Sequence, residues 1–266
     1  MRTNLIILIL FLSLNSLAQD HPFYSINDSK IKEKYNKVDT KDYQNAFFNG
    51  LRYKILGDPD KALEYFGDCI RMNGGEPTPM YESAILYFNN GQFDQAQFFI
   101  ESACQLEPDN KWFQQLLATT YLENRQYDKA IVSFKKLLKL EPKNKDWHFE
   151  LASAYLLNNQ ARNAIKVYDE LEKHIGSFGV LFQQKKQIYI DIGDKTGAIR
   201  ELEKWAEAEP RNIEALNELS EFYLLSGKQT KAIQTLEKSL KLKSDNASAF
   251  IMLSDLYRNN KEFDKS

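Results

Sequence analysis

The chain has 266 residues, with 35 Lys and Arg against 37 Asp and Glu, a net charge of −2 and two cysteines. Charges of both signs are interspersed, which leaves no basic face for nucleic acid, and two cysteines cannot make a disulfide framework. With 43 % hydrophobic residues the chain can bury a core, and its length allows one or two domains.

Residues 1–18 read as an export signal. Arg2 supplies a positive start, residues 5–14 are almost unbroken apolar, and Ser16-Leu17-Ala18 offers small residues where a signal peptidase cuts. Cleavage after Ala18 leaves Gln19 at the new N-terminus and a mature charge of −3. The apolar run is too short to span a bilayer comfortably. No cysteine stands close behind it, the first being Cys69, so lipid attachment is not indicated. This style of leader is bacterial and points to an exported protein, periplasmic or associated with the outer envelope, with no membrane span in the mature chain. Residues 19–42 are polar and out of register with the rest of the chain, and they read as a tether or N-terminal cap.

From about residue 43 the chain is periodic, and residues 111–144 show the unit most clearly. Leu117, Ala118 and Tyr121 share one side of a first helix, and Ala130, Phe134 and Leu137 share one side of a second. Asn124-Arg125-Gln126 interrupts the apolar pattern between them, and Pro142 stops the second helix. Steps of 34 residues from Tyr121 land on Tyr53, Tyr87, Tyr155, Tyr189, Tyr223 and Tyr257. The same step from Ala130 lands on Ala62, Ala96, Ala164, Ala198 and Ala232. Phe66, Ile100, Tyr168, Leu202 and Leu236 take the place of Phe134. The small residue Ala118 becomes Gly50, Ala84, Ala152, Ser220 and Ser254, with Lys186 as the misfit.

In chain order, six full units start near residues 43, 77, 111, 145, 179 and 213, and a truncated seventh starts at 247. Unit one ends in the loose turn Asn73-Gly74-Gly75, and unit two opens on Pro77, which suits a first helical turn. The link after unit four carries Gly176 and Gly179 and is a candidate hinge. Unit five has Lys185 and Lys186 where Leu and Ala are expected, so its first helix should tilt or let the lysine stems snorkel to the surface. Unit seven stops at Ser266, where the recurring alanine should stand, with Leu253, Tyr257 and Phe263 expected to be partly uncovered. Further repeats or another domain are expected beyond it, or a partner that covers this end.

A 34-residue helix-turn-helix period with a small residue, a Tyr, an Ala, a large apolar residue and a Pro at these offsets resembles the tetratricopeptide repeat (TPR) family. The resemblance runs from about residue 42 to the C-terminus. It implies an all-α fold, an α-solenoid of helical hairpins wound as a right-handed superhelix, in which each unit packs only on its neighbours. It implies a platform that binds polypeptides, not a chemistry.

No catalytic or metal constellation is legible, and no cofactor is expected. His21, His148 and His174 are far apart in the chain, and His148 is expected to pack at the surface. No glycine-rich phosphate loop occurs, and Asp58-Pro59-Asp60 lacks the later ligands of a calcium loop. Cys69 falls in a core slot and Cys104 one place beyond the equivalent slot, so free thiols are expected. Asn27 and Asn246 match the glycosylation acceptor pattern.

By the resemblance, the first helices line the concave side, and their outward positions form the candidate partner surface. These are Phe47 in unit one, Tyr81 and Phe88 in unit two, and Trp112, Gln115 and Thr119 in unit three. Phe149 and Ser153 lie in unit four, Gln183 and Gln187 in unit five, and Asn217 and Glu221 in unit six. Aromatic anchors at the front and amides behind fit the recognition of another protein. The first expectation is therefore a non-catalytic scaffold in the cell envelope. The alternative is the sensory input domain of a longer signalling protein whose effector lies beyond residue 266.

Overall fold

The computed structural model describes residues 40–259, which form thirteen α-helices and no strand. The leader, the tether up to residue 39, Asn27, Phe263 and Ser266 lie outside the described residues. Units one to three are α1 (Thr40–Ile55) with α2 (Pro59–Met72), α3 (Pro77–Asn89) with α4 (Phe93–Leu106), and α5 (Lys111–Glu123) with α6 (Tyr127–Leu140). Units four to six are α7 (Lys145–Leu157) with α8 (Ala161–Ile175), α9 (Gly179–Asp191) with α10 (Lys195–Ala208), and α11 (Ile213–Leu225) with α12 (Gln229–Leu242). The helix α13 (Ala247–Asn259) comes last. Each helix packs chiefly on the helices before and after it in the chain.

The close approach within a unit is made at the recurring alanine. Ala62, Ala96, Ala130, Ala164, Ala198 and Ala232 expose no surface at all. One turn later Phe66, Ile100, Phe134, Tyr168, Leu202 and Leu236 fill the space beside that contact and are buried with it. Helices of 13 to 16 residues are marginal alone, so this packing supplies most of their stability.

The turn between the two helices of a unit is the same six times. The residue after the first helix's cap has positive φ: Gly57, Gly91, Arg125, Asn159, Gly193 and Gly227, at +56° to +75°. The amide of the next residue donates back to the carbonyl of the recurring tyrosine, as in Gln126 to Tyr121 at 2.8 Å and Lys228 to Tyr223 at 2.8 Å. The amide of the positive-φ residue itself donates to the carbonyl just after the tyrosine, for example Gly227 to Leu224 at 2.9 Å. This is a Schellman stop, and glycine favours it because the left-handed backbone clashes with a Cβ. Between units, Asn110, Asn144, Asn212 and Asn246 accept amide bonds as N-caps of the next first helix.

The recurring tyrosines join units as well as ending helices. Tyr121, Tyr223 and Tyr257 each donate a hydroxyl to a glutamate 20 residues earlier, on the second helix of the preceding unit. The acceptors are Glu101 at 2.9 Å, Glu203 at 2.6 Å and Glu237 at 2.8 Å. The ring is covered from its own unit: Lys61, Lys129 and Lys231 lie 5.1, 5.1 and 5.2 Å from the centroids of Tyr53, Tyr121 and Tyr223. In unit five this lysine is Gly197, and a Cβ there would sit 2.2 Å from the Tyr189 ring.

Unit five departs from the expectation for its lysines. The helix α9 keeps its 13 residues, and Lys185 does not reach the surface: it is fully buried. Its ammonium lies 2.6 Å from Asp169 and 3.0 Å from Glu172 on α8, and 2.9 Å from Glu201 on α10. Glu201, only 2 % exposed, also takes Lys204 at 3.1 Å. Burial lowers the Lys185 pKa, but the carboxylates of Asp169 and Glu201 beside the ammonium outweigh it and hold the group above the ordinary lysine value. Burial likewise raises Glu172, yet the bonds from Ser177 and Lys185 leave it below the ordinary carboxylate value. Ser177 lies in the link read as a hinge, and its hydroxyl donates to Glu172. Lys186, in the small-residue slot, keeps its stem nearly buried and pairs with Glu218 of the next first helix at 2.5 Å.

Three outcomes test this packing. Gly197→Ala gains about 1 kcal/mol of helix propensity but overpacks the Tyr189 ring at a cost of roughly 1–3 kcal/mol, so denaturant titration should show a net loss of about 1 kcal/mol. Gly227→Ala meets no neighbour, and only backbone strain should lower its stability, by about 1–2 kcal/mol. Lys185→Met should lose about 3–5 kcal/mol, the cost of leaving buried carboxylates unpaired. A depressed carboxylate stabilises the fold above its ordinary pKa of 4.5 and loses that contribution as pH falls through its folded value. The wild-type chain should therefore lose stability below about pH 4.5, and Lys185→Met should lose less on the same acidification.

Candidate functional site

The candidate partner surface runs along the outward side of the first helices, and the structure divides its residues into two sets. Some are spent on packing between helices. Phe47 is half-buried, 5.9 Å from Phe66 and 6.4 Å from Tyr43, and packs against the core of α1 and α2. Tyr81 reaches the next first helix, 4.9 Å from Phe113, and burial raises its phenol pKa. Phe149 packs 5.3 Å from Tyr168, and Phe88 meets Phe93 edge-on at 5.3 Å across the turn.

Asn217 is half-buried, and its side chain is engaged in a polar network. Its side-chain oxygen accepts from Ser239 at 2.9 Å and from Asn246 at 3.0 Å, and Asn246 donates to Ser239 at 2.8 Å. Ser239 is fully buried and Asn246 is 8 % exposed. Asn246 is thus an N-cap held in a network, not a presented glycosylation acceptor.

The other set faces outward. Trp112 is 59 % exposed, with the Lys111 ammonium 5.2 Å from its ring centroid. Gln115 is exposed beside it, and Thr119 and Ser153 are half-buried. Gln187 and Glu221 are exposed, and Gln183 donates to Glu218 at 3.4 Å. Leu157 and Leu225, 51 % and 74 % exposed, stand at the ends of α7 and α11. The register of outward positions does not pick them out, although they stand 68 residues apart, which is two repeat periods.

Chemistry-bearing side chains lie elsewhere. His148 is buried, not at the surface, with Nδ1 2.9 Å from the Asn144 carbonyl and its ring centroid 6.2 Å from that of His174. The two are 26 residues apart, and only the α7–α8 hairpin brings them together. Cys69 and Cys104 are buried free thiols, each pushed up to about 11 by burial. Among the described residues no group of three His, Cys, Asp or Glu is placed to hold a metal, and no helix is long and apolar enough to cross a membrane.

Comparisons with known proteins agree with this architecture. Models of the tetratricopeptide repeat match residues 55–119 and 121–175, and another matches residues 213–246. The photosystem I assembly protein Ycf3 of Cyanophora paradoxa is 31 % identical over 87 residues, covering 27 % of this chain and 50 % of that protein. The chain thus spans about half the length of this curated relative. A tetratricopeptide repeat protein from Parabacteroides merdae has a solved structure similar to 84 % of this chain and 88 % of its own. Its TM-score is 0.54 at 15 % identity. The Naa15/Naa10 complex bound to HypK-THB is similar over 83 % of this chain and 34 % of that one, with a TM-score of 0.58 at 17 % identity.

The two sets should separate in a stability measurement. Trp112→Ala should stay within about 0.5 kcal/mol of the parent, as exposed substitutions do. Asn217→Ala, which leaves Ser239 and Asn246 short of a partner, should cost roughly 1–3 kcal/mol.

Proposed function

Because the chain belongs to the tetratricopeptide repeat family, we propose that it is a non-catalytic scaffold that holds another polypeptide along its first helices. The observation that carries this reading is Trp112. A large aromatic side chain left 59 % exposed beside Gln115 is not needed for packing, and such residues are typical anchors for a partner. Exposed amides and carboxylates further along, at Gln187 and Glu221, orient the bound segment. The partner is an extended chain or helix, since a row of parallel first helices offers a long, shallow track and no enclosed pocket. The export signal read in residues 1–18 supports a role in the cell envelope, in assembling or organising envelope proteins.

A crosslinking pull-down with the mature chain tests the reading. Trp112→Ser should reduce partner capture about tenfold, the effect of a hot spot worth at least about 1.4 kcal/mol, with the melting temperature unchanged. Unchanged capture would sink the proposal. Fractionation should find the full-length product outside the cytoplasm with Gln19 as its first residue; a cytoplasmic, uncleaved product would remove the envelope assignment.

A further inference from the structure

The tyrosine–glutamate link between units is missing where the residue 20 earlier is not a glutamate: Gly67 before Tyr87, Asp169 before Tyr189 and, with its charge reversed, Lys135 before Tyr155. Tyr121, Tyr223 and Tyr257 find a glutamate 20 residues earlier, but the residue 20 before Tyr155 is Lys135. Its ammonium lies 5.3 Å from the Tyr155 ring centroid. Beside the tyrosine a recess of about 360 Å³ opens between α6 and α8, with Leu138, Leu151 and Val167 in its wall. Lys135, Lys139 and Lys166 also line it, against one carboxylate, Glu170. Among the described residues none of the three lysines is ion-paired, and the Tyr155 hydroxyl has no hydrogen-bond acceptor. The tyrosine itself is 7 % exposed, so its position is held by packing.

We propose that this recess binds a carboxylate side chain from an acidic peptide segment of a partner. The incoming carboxylate takes the place that Glu101, Glu203 and Glu237 fill in their own units. It receives the Tyr155 hydroxyl proton as a hydrogen bond and pairs with the lysine ammoniums, while the apolar wall covers the methylenes of a glutamate. Three cations without ion-pair partners around a partly desolvated hydroxyl are a recognition element for negative charge, and lysine point charges do not demand the forked geometry that arginine imposes. The site lies between second helices, so it goes beyond the first-helix reading and does not depend on it.

Calorimetric titration of the full mature chain tests this with three probes: a capped peptide of consecutive glutamates, its glutamine counterpart, and inorganic phosphate. The glutamate peptide should bind, more weakly at high salt, and the glutamine peptide should bind at least about tenfold more weakly. Lys135→Glu installs the glutamate that Tyr121, Tyr223 and Tyr257 find at this place. It should fold with an unchanged or higher melting temperature and weaken glutamate-peptide binding by about tenfold or more. Should that variant fail to fold, Lys139→Gln with Lys166→Gln serves instead, with the same loss expected. Equal affinity for the two peptides, or unchanged binding in the lysine variants, overturns the proposal. Phosphate binding without glutamate-peptide binding overturns the assignment to a peptide carboxylate.

Discussion

The array depends on how closely two helices of a unit come together at one alanine of the second helix. At all six positions from Ala62 to Ala232 that methyl group has no solvent contact. A larger side chain would push the hairpin open, since interiors are packed to near crystal density. With the hairpin closed, the large residue one turn later lies beside the contact and the next first helix can dock. Each unit is thereby held by its neighbours, and its stability is shared along the row.

At Tyr121 and Tyr223 the recurring tyrosine carries three separate interactions. Its carbonyl receives the amide that closes the turn, its ring lies under a lysine of its own unit, and its hydroxyl reaches a glutamate of the unit before. One residue type therefore ends a helix, shields a hairpin and joins two units. Where one of these partners changes, the consequence is local and readable. Gly197 makes room for the Tyr189 ring, and Lys135 leaves the Tyr155 hydroxyl without an acceptor.

Unit five shows a different solution to the same packing problem. The apolar residue expected at Lys185 is replaced by an ammonium caged by three carboxylates. Such a cage is weak evidence for added stability, because desolvating the charges offsets much of their attraction. It ties α8, α9 and α10 together through one ammonium. The partner-facing side of the molecule is correspondingly uneven: most aromatics of units one, two and four are tied into packing, and Trp112 is left outward.

The all-α repeat architecture was legible in the residue pattern. In a repeat array each buried position faces copies of its own neighbours, so a 34-residue pattern of small, large and turn residues already contains the contacts it will make. Contacts between residues far apart and out of that pattern emerged with the packed helices. Phe47 and Asn217 had the register of outward residues, but the first is packed on Phe66 and the second is bonded to Ser239 and Asn246. Lys185 looked like a surface intrusion because its three carboxylates come from two other helices. The pairing of His148 with His174, and the step of 20 residues from tyrosine to glutamate, exist only once hairpins close and units dock. Local pattern encodes which face is buried; which polar groups meet across that face is set by the geometry of assembly.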